Sequence, residues 1–130
     1  MGERVKYRCR DCGEEWIMNI GSGMLHGSAE VIKKEFPEDM WDEVDRLYSS
    51  GNGRPVLENL SFSFTPAVCK KCRCISAVPV LKSEISEKML IGPCQECGKK
   101  TVELIRSISK TACPSCRKTS LEIISVGLWD

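Results

Sequence analysis

Residues 94–124 read CQECGKKTVELIRSISKTACPSCRKTSLEII and contain two cysteine pairs, each with two residues between the cysteines. The same spacing occurs twice more, at residues 9–12 (CRDC) and 69–72 (CKKC). Two intervening residues close a tight turn that brings both sulfurs to one side, where they can share one metal ion. Eight of the nine cysteines therefore form four pairs: Cys9/Cys12, Cys69/Cys72, Cys94/Cys97 and Cys113/Cys116.

Four pairs divide into two sites of four thiolates, and this donor set favours zinc, with two ions per chain. Zn²⁺ has no geometric demand beyond a tetrahedron and prefers soft thiolate ligands. We expect a cytoplasmic protein, which keeps its thiols reduced, so disulfides are the weaker interpretation. An iron–sulfur or single-iron centre is the other alternative. A thioredoxin-like redox pair would need a neighbouring βαβ pattern, which the sequence lacks.

The spacing leaves open which pairs share an ion, because four pairs can be joined in three ways. Loop length favours the sequential arrangement, which joins the first pair to the second and the third to the fourth. Fifteen residues separate the third pair from the fourth, enough for a strand, a turn and a returning strand. Joining the second pair to the third, across 21 residues, is an alternative.

Each cysteine pair is flanked by residues with strand character, so the turn-then-strand pattern repeats along the chain. Pro79 predicts that its strand lies at the edge of a sheet, because proline has no N–H to donate. The predicted strands cover residues 5–7 and 16–20 around the first pair, 60–64 and 75–81 around the second, and 101–105 and 121–126 after the third and fourth.

A helical insertion at about residues 21–59 separates the first two cysteine pairs. Ser28 can cap a first helix, and Pro37 disfavours helical geometry at Phe36, which predicts a break there. A second helix is predicted to begin at Pro37, with acidic residues in its first turn, and to end at Gly51. In the sequential arrangement this insertion joins the two halves of the first metal site.

These patterns predict a small metal-stabilised β fold, α+β overall, made of two zinc ribbons. Residues 1–82 form the first unit with its helical insertion, and residues 83–130 form the second. The hydrophobic core of so small a unit typically contributes about 3–5 kcal/mol to the stability of the fold. Structural zinc in small domains contributes about 10–16 kcal/mol. Four protein thiolates also fill the tetrahedron, so the metal has no open position for a hydrolytic water.

Sequential Cys-x-x-Cys pairs within β-hairpins resemble the zinc-ribbon (rubredoxin-like) class, and residues 94–124, about a quarter of the chain, carry this resemblance. Residues 1–82 are similar only to a ribbon that carries a helical insert. Ribbons of this class often bind nucleic acid or dock proteins in transcription, translation and DNA-processing machinery. The resemblance therefore implies a macromolecular partner, although fold alone does not fix function.

Basic residues cluster beside the cysteines and are candidates for contacting phosphates. The alternative interpretation, which we favour, is that they compensate the anionic metal clusters. Two Zn²⁺ sites with four thiolates each would lower the formal net charge from +1 to −3, unlike a strong non-specific DNA binder. The candidates are Arg8, Arg10, Lys70, Lys71, Arg73, Lys99, Lys100, Arg117 and Lys118.

The remaining polar residues give no catalytic pattern, and we expect no enzyme activity and no small-molecule substrate. His26 is the only histidine, and in its glycine-rich surroundings we expect an ordinary loop residue. Cys74 is expected to be a small buried apolar residue on a strand, although it could replace Cys72 as a ligand or serve as a redox reporter. The sequence contains neither a transmembrane segment nor a secretory signal, so no membrane association is expected.

The function favoured by these observations is a non-enzymatic protein with two structural zinc sites, acting as a binding or adaptor module in nucleic-acid machinery. Its partner would be a protein, a nucleic acid or both. A thiol-based redox or metal-responsive switch is a second hypothesis, because oxidation of the thiolates would expel zinc. An accessory subunit of a larger enzyme complex is a third.

Overall fold

A computed structural model of the chain describes residues 2–22, 29–49, 60–83 and 88–129. This part of the chain is mostly β, with two short α-helices and two single turns of 3₁₀ helix at Glu38–Met40 and Ile108–Lys110. The α+β character expected from the sequence is therefore reduced to a small helical layer. The elements are β1 Gly2–Cys9, β2 Glu15–Gly21, α1 Ala29–Lys34, α2 Trp41–Ser49, β3 Leu60–Cys69, β4 Ile75–Ser83, β5 Met89–Ile91, β6 Val102–Leu104 and β7 Leu121–Trp129.

The seven strands of the described residues form one antiparallel sheet in the order β5-β4-β3-β2-β1-β7, and β6 also pairs with β3. Two hairpins, β1–β2 and β3–β4, form its framework, and one bridge between Gly21 and Phe64 connects them. Each hairpin turns at a Cys-x-x-Cys motif, which we call a knuckle. The strands predicted around the cysteines are confirmed: β1 buries alternate apolar residues on one face, whereas β4 is buried along almost its whole length.

Two ribbons with the same plan lie within this sheet. The outer ribbon consists of the β1–β2 hairpin, its knuckle at 9–12, the knuckle at 113–116 and β7, which pairs with β1. The inner ribbon consists of the β3–β4 hairpin, its knuckle at 69–72, the knuckle at 94–97 and β6, which pairs with β3. The inner ribbon is nested within the outer one along the chain, so each ribbon combines segments from both sides of residue 82.

Because the inner ribbon is nested within the outer one, the helical insertion connects different elements from those predicted, and the ribbons cross the predicted division at residue 82. That division coincides neither with the strand pairing nor with the ribbons, since β7 pairs with β1 and β5 with β4. The insertion connects the outer hairpin to the inner hairpin, and the prediction that it joins two halves of one metal site is wrong. The physical reason is the extensive pairing of β1 with β7, from Gly2 to Cys9.

The helical layer packs on the inner ribbon. Phe36, Met40 and Val44 are buried in a cluster that also contains Leu81 of β4 and Leu90 of β5. α1 ends at Lys34, and the chain resumes helical geometry only after Pro37, as the proline predicts. The predicted cap Ser28, the predicted end Gly51 and His26, expected in a loop, lie outside the described residues.

Pro79 occupies an internal strand rather than the predicted edge. β4 pairs with β3 on one side and with the short β5 on the other. The C=O of Pro79 accepts a bond from Gly92 N–H (2.8 Å), just past the end of β5 at Ile91. The missing N–H therefore falls where the β4–β5 ladder ends, which explains how the strand tolerates a proline. Gly92 is required there, because a Cβ would lie 2.5 Å from the Pro79 ring.

Three apolar clusters fill the interior formed by the described residues. The outer cluster contains Val5, Tyr7 and Met18 of the outer hairpin, together with Ile75 and Ile105 from the inner ribbon. A second cluster underlies the helical layer, and a third lies within the inner ribbon. None of the described helices has the length and apolar character needed to cross a membrane.

Candidate metal centres

The sulfurs of the outer ribbon converge on one point. Cys9, Cys12, Cys113 and Cys116 each bring one Sγ atom to within 4.8 Å of the other three. The Sγ atoms of Cys9 and Cys116 lie 3.5 Å apart, and those of Cys12 and Cys113 lie 3.6 Å apart. Four ligands about 2.3 Å from a tetrahedral Zn²⁺ would have sulfurs about 3.8 Å apart, so this group fits the ion.

The inner ribbon contains a second group with the same geometry, formed by Cys69, Cys72, Cys94 and Cys97. The Cys69–Cys97 and Cys72–Cys94 Sγ distances are 3.6 Å and 3.5 Å. A disulfide would require about 2.05 Å between sulfurs, so all eight cysteines are free thiols in this arrangement. All eight predicted ligands therefore lie in two groups that could each hold one metal ion.

The grouping of the pairs differs from the sequential prediction, which is wrong. The second pair joins the third, as in the alternative, and the first pair joins the fourth. Loop-closure entropy favours the sequential grouping by only about 1 kcal/mol, because that entropy grows with the logarithm of loop length. Burying a single large apolar side chain contributes about 1.5–3 kcal/mol. Val5 and Tyr7, both buried where β1 pairs with β7, therefore outweigh the loop preference.

The four knuckles share one backbone hydrogen-bond pattern. In each, the N–H of the first cysteine donates to the C=O five residues later, and the N–H four residues later donates back to the first cysteine, at 2.7–3.1 Å. This closure requires a left-handed residue directly after the second cysteine. Glycine supplies it at Gly13 (φ 78°) and Gly98 (φ 74°), and arginine supplies it at Arg73 (φ 56°) and Arg117 (φ 66°).

Hydrogen bonds to sulfur prepare the first cysteine of each hairpin knuckle for metal binding. The backbone N–H of Cys12 lowers the pKa of the Cys9 thiol to about 7. Burial alone would raise the pKa of Cys69, but bonds from the Thr101 hydroxyl and the backbone N–H of Cys72 outweigh burial and lower that pKa to about 6. Thiolate is the form that binds metal, so both sites hold a sulfur close to its metal-binding state at neutral pH.

The second cysteine of each pair has a raised pKa and resists ionisation while no cation balances its charge. Burial raises the pKa of Cys72, and contact with the sulfurs of Cys94 and Cys69 raises it further. Four adjacent thiolates repel one another strongly unless a positive ion lies among them. The arrangement can therefore bind a divalent cation and release protons as it does so.

The inner site receives more hydrogen bonds from neighbouring groups than the outer site. The Thr101 hydroxyl lies 3.4 Å from the Cys69 sulfur, and Ser76 lies 4.0 Å from the Cys94 sulfur. The backbone N–H of Glu96 also donates to Cys94, at 3.4 Å. In the outer ribbon the residue equivalent to Thr101 is Ser120, whose hydroxyl donates to Asp11 instead. Such contacts to ligand atoms orient ligands and tune metal affinity.

Sequence reasoning did not find these hydroxyl groups or the acidic partners of the knuckle cations. A signal for both is present, because Thr101 and Ser120 each lie four residues after the last cysteine of their ribbon. Glu103 and Glu122 each lie six residues after it, where β6 and β7 pair with the first strand of the hairpin. Only the correct grouping of the pairs reveals this correspondence.

Three of the nine candidate phosphate-contacting residues form ion pairs with exposed carboxylates. Such pairs are weak, but they direct these cations toward the protein surface and make them poorer contacts for phosphate. The pairs are Arg10–Glu122 (3.9 Å), Lys70–Glu103 (3.4 Å) and Lys100–Asp39 (3.2 Å).

The other six candidates are exposed, and none forms an ion pair with a carboxylate in the part of the chain that the structure describes. Arg8 still acts on Glu15, because Lys6 and then Arg8 lower the pKa of that carboxyl. Lys71 and Arg73 lie on the inner hairpin knuckle, and Lys99 lies beside the inner second knuckle. Arg117 and Lys118 follow the last cysteine of the outer ribbon.

Cys74 lies outside both ligand groups. Its thiol is half-buried and lies 3.6 Å from the C=O of Cys72, directly before β4. Cys72 contacts Cys94 within the inner group, so Cys72 rather than Cys74 belongs to the group that could hold an ion, and Cys74 is a neighbour of that group.

Comparison with known proteins identifies no relative of this chain. No family model, curated protein or solved structure matches it. The two four-cysteine groups are compatible with zinc-ribbon-like sites.

Proposed function

We propose that this chain is a non-enzymatic protein of the cytoplasm in which two structural zinc ions hold a binding module for nucleic-acid machinery. Both groups of cysteines supply four thiolates, which is the ligand set of closed structural zinc sites. A closed site leaves no position for a reacting water. The metal ions would therefore hold the knuckles in a fixed shape, and the knuckles would contact the binding partner.

The observation that supports a binding role is the presence of one left-handed arginine on each site. Arg73 and Arg117 adopt φ values of 56° and 66°, in positions where the other two knuckles have glycine. A left-handed backbone costs a non-glycine residue about 1–2 kcal/mol. Retaining a strained arginine where glycine fits suggests that the guanidinium group has a use. Both arginines are exposed, and neither is ion-paired with a described carboxylate.

A guanidinium group binds phosphate oxygens with two parallel hydrogen bonds, so exposed arginines on rigid turns suit a nucleic-acid backbone. Lys71, Lys99 and Lys118 would add point charges beside them. The formal charge of −3 for the zinc-loaded chain favours a weak contact, made together with a protein partner, over strong non-specific binding.

The test separates binding from charge compensation by replacing both arginines with glycine. Arg73→Gly and Arg117→Gly remove charge and relieve backbone strain together, so the fold is retained. If the arginines contact phosphate, affinity for a labelled oligonucleotide falls, and the slope of log affinity against log salt is reduced by about 2. Metal affinity then stays unchanged.

The matched control is Lys82→Gln, which removes an exposed cation from β4 and should leave the salt slope unchanged. If the arginines only compensate the metal clusters, the glycine variants lose metal affinity and keep their nucleic-acid binding. An unmodified chain that binds neither single- nor double-stranded oligonucleotides at low salt contradicts direct nucleic-acid contact, and leaves docking to a protein as the adaptor role.

A further inference from the structure

The strand at one end of the sheet, β7, exposes an apolar surface. Ile123, Val126 and Leu128 are 47%, 61% and 72% exposed. Among the described strands β7 pairs only with β1, so no described strand covers its other edge along these nine residues. Exposed apolar strands at a sheet edge are sites of pairing with another strand.

The open edge presents unpaired backbone groups beside these apolar side chains. The backbone N–H and C=O groups of the odd-numbered residues of β1 point toward β2. The hydrogen bond from the N–H of Cys9 to the C=O of Glu14, across the hairpin turn, shows this direction. Bonding direction alternates along a strand, so the even-numbered Arg4 faces β7, where its register partner is Gly127. The N–H and C=O groups of Val126 and Leu128 therefore point away from the sheet.

The charge of β7 restricts what can occupy this edge. Glu122 is its only charged residue, and it lies at the end near the knuckle. The strand offers no cation to a nucleic acid and no lysine or proline that would discourage strand pairing. An apolar strand of similar length is the complement, and a second copy of the chain supplies one.

We propose that two copies of this chain associate through β7, whose open edges pair antiparallel about a two-fold axis. An edge that pairs with itself needs only this symmetry and forms a closed dimer. Pairing of β7 with β5, at the opposite end of the sheet, would match nine residues with only three and would build filaments. The two-fold arrangement places Ile123, Val126 and Leu128 of each copy beside the apolar side chains of the other copy's β7.

The oligomeric state of the zinc-loaded chain tests this proposal. Light scattering during gel filtration, at concentrations from about 10 µM to about 1 mM, should give a mass that rises from one chain to two. Val126→Lys places a charge among the apolar side chains of the edge strand and should give the mass of one chain throughout. The control is Ile17→Lys on β2, an equally exposed residue (64%) separated from β7 by β1, which should still dimerise.

Hydrogen exchange distinguishes strand pairing from a face-to-face contact. In the dimer, the amide hydrogens of Val126 and Leu128 become protected as concentration rises, whereas those of Val126→Lys do not. Metal content of two ions per chain confirms that each variant is folded. A single-chain mass at the highest concentration overturns the proposal, as does a mass beyond two chains or equal loss of dimer in both variants.

Discussion

The outer and inner ribbons share their hydrogen-bond plan but differ in what stabilises them. The inner ribbon has two apolar clusters of its own, and their named members all lie between residues 29 and 104. The outer cluster instead includes Ile75 and Ile105, which belong to the inner part of the chain. The outer ribbon therefore depends on the inner ribbon, whereas the inner ribbon has little need of the outer one.

Chain connectivity also indicates that the outer ribbon depends on the inner ribbon. The two knuckles of the inner site are separated by 21 residues, and those of the outer site by 100. When the inner ribbon is unfolded, closing the longer loop costs about 1.4 kcal/mol more, a tenfold difference in affinity. Identical metal motifs can thus have unequal stability, because a knuckle specifies its turn and the rest of the chain determines how readily two knuckles meet.

Matched removal of one ligand from each site should produce the largest effect. Cys9→Ala and Cys69→Ala replace equivalent buried cysteines that are 0% and 1% exposed. Cys9→Ala should lose the outer ion and keep the inner ion with the helical layer folded. Cys69→Ala should lose both ions, because the outer cluster loses the support of Ile75 and Ile105. Loss of a structural zinc removes on the order of 10 kcal/mol.

Metal content by elemental analysis and helical circular dichroism measure this difference. Cys74→Ala is the control, because it removes a thiol that lies outside both groups and should leave two ions bound. Equal loss of metal from both ligand variants would show that the ribbons unfold as one unit. An outer ion retained by Cys69→Ala would reverse the proposed dependence.

The hydroxyl beside the inner site provides a smaller test of the same comparison. Thr101→Val removes the hydroxyl 3.4 Å from the Cys69 sulfur and keeps the side-chain shape. One such hydrogen bond contributes about 1 kcal/mol, so inner-site affinity for Zn²⁺ should fall about fivefold. Ser120→Ala, at the equivalent outer position, should change outer-site affinity little, because that hydroxyl donates to Asp11.

The pH dependence of metal release has a defined sign. The Thr101 hydroxyl helps to lower the pKa of Cys69 to about 6, and burial opposes it. A lower pKa preserves thiolate as pH falls, so Thr101→Val should raise the pH at which the inner site loses half its metal. Titration with Co²⁺, whose thiolate absorption reports occupancy, measures that midpoint. An unchanged midpoint would show that the Thr101 contact does not tune the site.

The sequence predicts well which eight cysteines form the two groups that could hold metal, because the Cys-x-x-Cys spacing is a local property of one turn. The turn encodes both sulfurs and the position of its left-handed residue, so all four knuckles follow from a few residues each. Which knuckles meet is a long-range property, determined by strand pairing between Gly2–Cys9 and Leu121–Trp129. No short segment encodes that pairing, and loop length is too weak a guide to replace it.

The same limit explains the outcomes for Pro79 and for the helical insertion. The proline correctly indicates that β4 lacks one hydrogen-bond donor. Whether β4 is an edge strand depends on β5, which has only three residues and therefore no recognisable strand pattern in the sequence. The break before Pro37 is a local effect and is confirmed. The surface on which the helices pack depends on Leu81 and Leu90, whose partners become evident only after the sheet is assembled.

The smallest expected effect tests whether the two ribbons are equivalent at the level of the turn. Gly13 of the outer ribbon and Gly98 of the inner ribbon have φ values of 78° and 74°, and a Cβ on either would meet no atom within 4 Å. Gly13→Ala and Gly98→Ala should therefore each cost only the backbone penalty, about 1–2 kcal/mol, so the two losses of stability, measured by chemical unfolding of the metal-loaded chain, should be nearly equal. A much larger loss of stability in Gly98→Ala than in Gly13→Ala would mean that the inner turn is more rigid than the outer turn, although both turns have the same hydrogen bonds. Equal losses would place the difference between the ribbons in their packing and loop length rather than in the knuckles.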